Sequence, residues 1–294
     1  MSKRNLATID TDMFTPIGRM LQQAMAHGIL NDMVFGGLET GQTELQGILA
    51  APVATQNCSI GTRRVSWDGK VYRYSSAAAN CSNEMLAYSA HYKQALNWSA
   101  VVSGALASTT MVVTVGGSDG DGSGNIAANY LAGGQILISN EATFGSISLG
   151  IVSNTLVSGG GAMTLVVDTA LPFLLTTSHK VEAMGNPYAA LAALANCPAD
   201  APMVGRPTVK ATAALPYHWE QTWGPCWITP NNGFSTVDVG NSDYNNQVVV
   251  WNGTIGPHDD IAHGEYAQHI GYVLSRTQAG TTQGAPFIML QICP

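Results

Sequence analysis

The chain has 294 residues, of which 46% are hydrophobic and only 11% are charged, and its formal net charge is −7. This length suits two modest domains, and the hydrophobic fraction is sufficient for a buried core. An average soluble domain is about 25% charged. Much of this surface must therefore be uncharged polar or covered by neighbours, which favours a stable assembly over a free enzyme. No group of Lys and Arg exceeds a pair such as Arg63 and Arg64, which argues against a nucleic-acid surface.

Residues 1–12 have no periodic pattern and predict an extended N-terminal arm. Asp10 and Asp12 interrupt the region where the core of a signal peptide would lie. No run approaches the roughly 18 apolar residues that a membrane helix needs. We therefore expect a soluble protein that is made in the cytoplasm and has no membrane partner.

A first helix is predicted directly after this arm. Thr15 followed by proline is typical of a helix start, and Gly28 is a suitable end. Ile17, Met20 and Leu21 lie on one face at helical spacing. This face can pack on its own domain or dock on a neighbour, so its three apolar residues are interface candidates.

Residues 60–75 predict a β-hairpin. Asp68 and Gly69 lie between two β-prone runs, which is typical of a type I′ turn whose two central residues have positive φ. Residues 83–98 then predict a helix, because Asn83 can cap it and apolar residues follow at helical spacing.

From about residue 100 the pattern changes to short runs of Val, Ile, Leu and Thr between Gly-rich turns. Four runs predict strands: Thr110–Val115, Gln135–Ser139, Ser146–Val152 and Met163–Asp168. Short strands with regular glycines between them indicate a small antiparallel barrel or sandwich.

The segment Gly116–Gly124 predicts a flexible hairpin tip, because Gly and Asp dominate turns. Asp119 and Asp121 give it the composition of a calcium loop. The flanking helices and the closing Glu of an EF-hand are missing, so calcium is the lesser alternative.

Residues 188–195 predict a short helix rich in Ala and Leu, and residues 203–294 are β-rich with Gly and Pro between the runs. The predicted strands are Val209–Ala213, Tyr217–Thr222, Cys226–Ile228, Gln247–Val250, His269–Leu274 and Phe287–Ile292. The last run predicts that the C-terminal residues are held in a sheet.

These elements predict a mainly β protein with two small antiparallel barrel or sandwich domains, short helices and an N-terminal arm. We predict an arm and helix at residues 1–35 and a hairpin-plus-helix region at 36–99 joined to the C-terminal β domain. A Gly-rich β domain follows at residues 100–185, and the C-terminal β domain at 186–294.

The densest aromatic segment contains Tyr217, Trp219, Trp223 and Trp227. Alternation places the first three on one strand face. Such residues fill cores, anchor interfaces or stack on sugars. Core packing is the first interpretation, and all four are also interface candidates.

Residues that could carry chemistry are few. The cluster His258, Asp259, Asp260, His263, Glu265 and His269 could bind a divalent ion, but its spacing fits no helical metal motif and predicts a surface loop. No nucleophile elbow, P-loop or dinucleotide fingerprint is present. Glu141, Asp168 and Glu182 are dispersed near strand ends. We therefore predict no catalytic residue, no cofactor and no metal site, with a carbohydrate-active enzyme as a minor alternative.

The five cysteines are Cys58, Cys81, Cys197, Cys226 and Cys293. Their odd number and wide spacing do not resemble a zinc site or a secreted disulfide framework. We expect reduced and mostly buried thiols, with Cys293 as the best candidate for an intermolecular disulfide.

Several segments resemble a family of tailed-phage structural proteins. They are Gly61–Arg63 with Val71–Tyr74, Ala127–Gly134, Asn186–Tyr188, Tyr217–Pro225 and His269–Leu274. The resemblance extends from about residue 45 onward. These motifs are structural, so the family supplies no catalytic residue.

The resemblance implies a capsid decoration or cement protein on the virion surface. Its implied partners are the phage major capsid protein and other copies of itself, as a dimer or trimer, without direct contact to nucleic acid. Alternatives are a head fibre, a neck or tail component, a receptor-binding spike, or a carbohydrate-binding protein.

Overall fold

The computed structural model describes residues 47–91, 95–140, 145–192, 201–229, 247–251, 254–257, 268–275 and 287–294. Within these ranges the chain forms sixteen β-strands, and helical backbone occurs only at Gly47 and Ile48. The prediction of a mainly β protein is therefore confirmed. The predicted arm and first helix, with Ile17, Met20 and Leu21, lie outside the described residues. No helix in the described ranges has the length and hydrophobicity required to cross a membrane.

The first nine strands are β1 Arg63–Val65, β2 Val71–Ser76, β3 Ala87–Ser89, β4 Leu96–Gly104, β5 Thr110–Val115, β6 Gln135–Asn140, β7 Gly145–Asn154, β8 Gly161–Val167 and β9 His179–Met184. The others are β10 Leu191–Ala192, β11 Met203–Pro207, β12 Tyr217–Trp227, β13 Gln247–Trp251, β14 Thr254–Pro257, β15 His269–Ser275 and β16 Phe287–Gln291. All sixteen belong to one compact unit, whereas residues 47–49 and 66–68 belong to another.

Strands β4 to β9 close into an antiparallel barrel in the order β4-β5-β8-β7-β6-β9. Buried and exposed side chains alternate along these strands, as expected of a barrel wall with one face on a hydrophobic core. In β5, Met111, Val113 and Val115 are buried while Thr110 and Thr114 are exposed. The buried side chains of the strands form one hydrophobic core, and the closed wall has no free strand edge. The four strands predicted in this region all exist, with ends within two residues of the prediction.

The barrel is inserted between two strands that pair with each other. Leu191 and Ala192 of β10 are the register partners of Ser89 and Tyr88 of β3. The chain therefore leaves the sheet at β3 and returns beside it at β10. The described residues His91 and Gly185, which belong to the two connections between sheet and barrel, lie close together.

The other ten strands form one sheet that curls into a half-barrel. Its main path is β10-β3-β11-β12-β16-β15-β13-β14, and the hairpin β1-β2 pairs with β12. β12 is its longest strand, with 11 residues, and pairs with β2, β11 and β16. β16 lies between β12 and β15, as predicted for a C-terminal strand held in a sheet.

Two predicted helices are strands in the structure. Residues 83–98 contain β3 and the start of β4, and the described part of residues 188–195 contains β10. The apolar residues of the first segment fit a helical stripe. However, Ala87 and Ser89 are buried on alternate positions around Tyr88, and all three pair with distant strands. Long-range pairing therefore overrides the local pattern.

Two other predicted elements also differ. Val65 pairs with Val71, so the β1-β2 connection has five residues instead of a two-residue turn. Gly69 has a φ of 80°, but Asp68 does not have a positive φ, so the connection is not the predicted type I′ turn. The predicted strand Val209–Ala213 makes only isolated bridges. The strand of this region lies earlier, at β11, where it has β3 and β12 as partners.

Replacement of Gly134 by Ala is expected to destabilise the barrel. A Cβ at this position would overlap the backbone carbonyl of Met184, which is part of the β6-β9 closure. Overpacking of this kind costs about 1–3 kcal/mol of unfolding free energy. Gly117→Ala is the matched control, because a Cβ at Gly117 meets nothing within 4 Å. Urea unfolding should show a loss for the first variant and a change within about 0.5 kcal/mol for the second. Equal losses would contradict the closure geometry.

Candidate functional site

The aromatic segment of β12 is divided between core and surface. Trp219 is only 6% exposed, and its ring centroid lies 5.1 Å from that of Tyr74. Trp219 therefore packs within its own chain, as the core interpretation expects, and has little surface left for a partner. Tyr217, Trp223 and Trp227 are half-buried. Their role at an interface stays a prediction.

The opposite face of β12 carries a buried polar cluster that includes His218 and Glu220. The Nδ1 atom of His218 lies 2.8 Å from the Pro216 carbonyl oxygen, and its Nε2 atom lies 2.6 Å from Glu220 Oε1. Because a carbonyl oxygen can only accept, Nδ1 must carry a proton. A second proton must lie between Nε2 and the carboxyl oxygen. The pair therefore shares one proton and has no net charge.

The environment of this pair keeps the shared proton in place at neutral pH. Burial raises the pKa of Glu220, and this effect exceeds the opposing influence of His218 and Arg206. Burial alone would lower the pKa of His218, but the hydrogen bond and charge of Glu220 outweigh it and raise this pKa. Neither side chain is solvent-exposed. The pair thus satisfies both His218 nitrogens and one Glu220 oxygen inside the central strand, whereas Glu220 Oε2 has no hydrogen-bond partner among the described residues.

Arg73 of β2 extends this cluster toward the surface. Its guanidinium donates to the Gly61 carbonyl at 3.2 Å and to the Cys293 sulfur at 3.4 Å, and it lies 5.7 Å from the Tyr188 ring centroid. Burial, together with Cys293, raises the pKa of Tyr188 far above its usual range. The β2, β12 and C-terminal segments are therefore joined by polar contacts as well as by strand pairing.

The described cysteines are free thiols. Cys81 and Cys226 are buried, as expected, while Cys58 and Cys293 are half-buried. Burial raises the pKa of the Cys226 thiol to about 12, so this thiol is unreactive at neutral pH. Cys197 lies outside the described residues. An intermolecular disulfide at Cys293 stays a prediction.

The Gly116–Gly124 segment is not a hairpin tip, because β5 pairs with β4 and β8 rather than with β6. Its residue Asp119 is buried and accepts three hydrogen bonds. The donors are the backbone N–H of Gly116 at 2.7 Å, the hydroxyl of Ser99 at 2.8 Å and the backbone N–H of Asn97 at 3.2 Å. Asp119 therefore fixes the start of β4 instead of facing a solvent ion.

The two metal-binding alternatives gain no support from the described residues. Asp121 bonds to Asn125 and to the backbone of Ser123, and these contacts lower the pKa of its carboxyl. In the described part of the chain, no group of three or more His, Cys, Asp and Glu could hold a metal ion. Residues 258–265 of the second cluster lie outside the described residues, and His269 is exposed on β15.

One residue between the contacts of Asp119 has a strained backbone. Trp98 has a φ of 53°, in the left-handed region that bulky side chains rarely adopt, and it is 48% exposed. It lies in a bulge of β4, between Leu96 and Ser99, whose partners on β9 are separated by a single residue. The Asp119 bonds hold Asn97 and Ser99 on both sides of Trp98, so this conformation is imposed by buried neighbours.

The outer wall of the barrel is unusually poor in charge. Strands β4, β5, β6, β7 and β8 contain no Lys, Arg, Asp or Glu, and only β9 carries charged residues. Val102 and Val152 project from bulges of β4 and β7 and are 46% and 54% exposed. Val112 and Val166 lie on the outward positions of β5 and β8 between them and are half-buried. We call these four residues the valine face.

The dispersed carboxylates are not assembled into a pair. Asp168 accepts a hydrogen bond from the Gly150 N–H at 3.1 Å. Glu182 lies within β9 rather than near its end, and β9 is not a neighbour of β8 in the barrel. Glu141 lies outside the described residues.

His91 is buried where the two connections between sheet and barrel meet. Its ring centroid lies 4.2 Å from that of Tyr130, and a Cβ on Gly185 would overlap the imidazole. Its Nδ1 atom has no hydrogen-bond partner among the described residues. Burial lowers the pKa of His91 more than its interaction with the backbone of Asn186 raises it. The junction therefore holds a neutral imidazole.

Nothing matches this chain among protein-family models, curated proteins or solved structures. Its function must be argued from the surfaces just described. Two of these, the valine face and the exposed Trp98, were not predicted from the sequence. The available signal for the first was the absence of charge from five successive β-runs.

Removal of the Glu220 side chain is expected to be severe. Glu220→Ala leaves His218 buried without its partner, and breaking a buried pair in this way costs about 3–5 kcal/mol. In Glu220→Gln the amide N–H can donate to Nε2 while Nδ1 still donates to Pro216, so we expect less than half of that loss. Chemical denaturation of both variants checks this. Similar losses would show that an amide cannot replace the carboxyl group and would contradict the expected rescue by Gln.

His91 is expected to make stability depend on pH. Its folded pKa lies below the ordinary value of 6.5, so the unfolded chain binds the proton more readily. The stabilisation is therefore complete above pH 6.5 and is lost as the pH falls below it, by up to about 1.4 kcal/mol per pH unit. Urea unfolding from about pH 5 to 8 should show this slope in the wild type. His91→Gln should remove it, while contributions from His218 and Glu220 cancel in the comparison. An unchanged slope would contradict the role of His91.

Proposed function

We propose that this protein is a structural component of a tailed-phage virion that binds the capsid exterior as a decoration or cement protein. The observation that carries the proposal is the valine face, an apolar outer surface on four strands that contain no charged residues. Valines that project from two bulges into water do not stabilise an isolated barrel. They stabilise an assembly when a partner covers them.

The valine face suits a packed contact on physical grounds. Apolar area removed from water contributes about 25 cal/mol per Å², before the cost of ordering is subtracted. The four strands themselves contain no charge that has to be desolvated on contact. The carboxylate of Asp168, which follows β8 directly, accepts a hydrogen bond from the Gly150 N–H. The core of a protein interface has the same character, with apolar residues and few charges.

The resemblance to tailed-phage structural proteins supplies the proposed partners, which are the major capsid protein and further copies of this chain. Repeated attachment over a symmetric shell would strengthen weak individual contacts. A head fibre, a neck or tail component and a receptor-binding spike would also bury an apolar, uncharged surface in the virion. They differ in copy number, so a mass-spectrometric count in purified particles separates them. Hundreds of copies support the decoration role, and a dozen or fewer contradict it.

Charged substitutions on the valine face should abolish particle binding. Val102→Lys and Val152→Lys each place an ammonium group in the proposed contact, where burial without a partner is costly. Gln135→Lys adds the same charge at an exposed position of β6 and serves as the matched control. Sedimentation of particles with added protein should retain the wild type and the control but lose both valine variants. Thermal unfolding of the free proteins checks that all remain folded. Retention of all variants would refute the valine face as the contact.

A further inference from the structure

The strained Trp98 lies near the start of β4, where this strand pairs with β9, the one barrel strand with charged residues. Leu96 pairs with Ala183 and Ser99 with Val181, so the bulged residues Asn97 and Trp98 lie opposite Glu182. The partners Leu96, Ser99, Val181 and Ala183 are all buried. Because strand residues alternate in direction, Trp98 and Glu182 both face outward.

This outward row continues onto the next strand. Glu182 is also the register partner of Leu137 on β6, which is exposed. Two positions along β9, Lys180 faces outward as well and pairs with Ala100. The barrel wall thus presents an aromatic ring, a carboxylate, an ammonium group and one aliphatic side chain. We call Trp98, Leu137, Lys180 and Glu182 the Trp98 platform.

The polar members of the platform are not paired with other side chains in the described part of the chain. Glu182 and Lys180 are half-buried, and neither forms an ion pair or a side-chain hydrogen bond with the described residues. The carboxylate offers acceptors and the ammonium group offers donors. Their opposite charges give the platform no net charge, so a strongly charged ligand gains little from it.

The backbone strain at Trp98 indicates that the fold fixes the position of this side chain. A left-handed Trp is unfavourable, yet buried Asp119 binds the residues on both sides of it and enforces that conformation. Strain that is maintained by surrounding structure is typical of ligand clamps. Bulges likewise re-aim side chains beside binding sites. Trp98 is thereby held in place next to Glu182 and Lys180 before any ligand arrives.

We propose that the Trp98 platform binds a neutral saccharide. The apolar C–H face of a pyranose ring packs on the Trp98 indole, while sugar hydroxyls donate to Glu182 and accept from Lys180. A neutral, hydroxyl-rich ligand fits a site with one aromatic surface, both hydrogen-bonding polarities and no net charge. Sites of this kind combine apolar contact with a few placed polar groups. The argument for this site does not rest on the proposed capsid contact, which uses the valine face, although Val102 of that face lies on the same strand as Trp98.

Other ligand classes fit the platform less well. Nucleic acid requires several convergent cations, and the platform has a single Lys beside a Glu. A protein partner that needs a large apolar patch finds one on the valine face rather than here. The sequence placed a possible sugar-stacking site on the aromatic segment around Trp219, but Trp219 is buried. The platform offers an exposed Trp for that role instead.

The test is an array of neutral mono- and oligosaccharides built from hexoses and N-acetylhexosamines, applied to the whole purified protein. We expect binding to at least one member, and calorimetric titration with that sugar should give an affinity that Trp98→Ala lowers at least tenfold. Glu182→Gln should lower it several-fold, and Trp98→Phe should keep part of it. Trp67→Ala is the matched control, because Trp67 is 73% exposed and lies outside the platform.

The outcomes separate this proposal from its competitors. An array without any bound sugar overturns it, and so does a bound sugar whose affinity is unchanged in Trp98→Ala. Trp98→Asn separates binding from folding, because Asn tolerates the left-handed conformation. This variant should keep the wild-type melting temperature and lose the sugar. Since the assay uses no particles, its failure leaves the capsid proposal intact, and particle binding does not rescue it.

Discussion

Strand β12 is hydrogen-bonded on both edges and buried along most of both faces, and the rest of the sheet is arranged around it. Because neither face of such a strand is open to solvent, its polar side chains depend on hydrogen-bond partners inside the protein. The shared proton of His218 and Glu220 meets this need on one face. The hydroxyl of Thr222, which donates to the Cys293 carbonyl at 2.6 Å, meets it at the end of the chain. The hairpin before the barrel and the C-terminal strand are thereby fixed to the same element.

The barrel depends on this sheet for its position but not for its core. Its hydrophobic residues form a cluster of their own, and the sheet holds separate clusters. The two parts are joined by adjacent connections at β3 and β10, where His91 fills the space left by Gly185. Because burial lowers the pKa of His91, protonation of the imidazole in this junction is unfavourable.

The barrel wall has two sides with different chemistry, and this difference organises the functional proposals. One side, around β5 and β8, carries valines and no charge, which suits a surface that is covered in an assembly. The other side, around β9 and β6, carries the only charged residues of the barrel strands next to an exposed and strained Trp98. Strand β4 belongs to both surfaces, because it carries Val102 and Trp98, and both are exposed. The two proposals therefore place attachment and recognition on adjoining surfaces of one small domain.

The sequence by itself determined the β-rich class, the four glycine-punctuated strands of the barrel, the C-terminal strand and the low charge, because alternation, turn residues and composition are local properties. The sequence pattern wrongly predicted helices at residues 83–98 and 188–195, because the strands with which these segments pair lie far away in the chain. Asp119 looked like part of a mobile loop, and only the fold brings it beside Asn97 and Ser99. The neighbourhood of Trp98 and Glu182 was likewise decided by tertiary structure, because strand register places residues of distant segments side by side and no local pattern encodes that pairing.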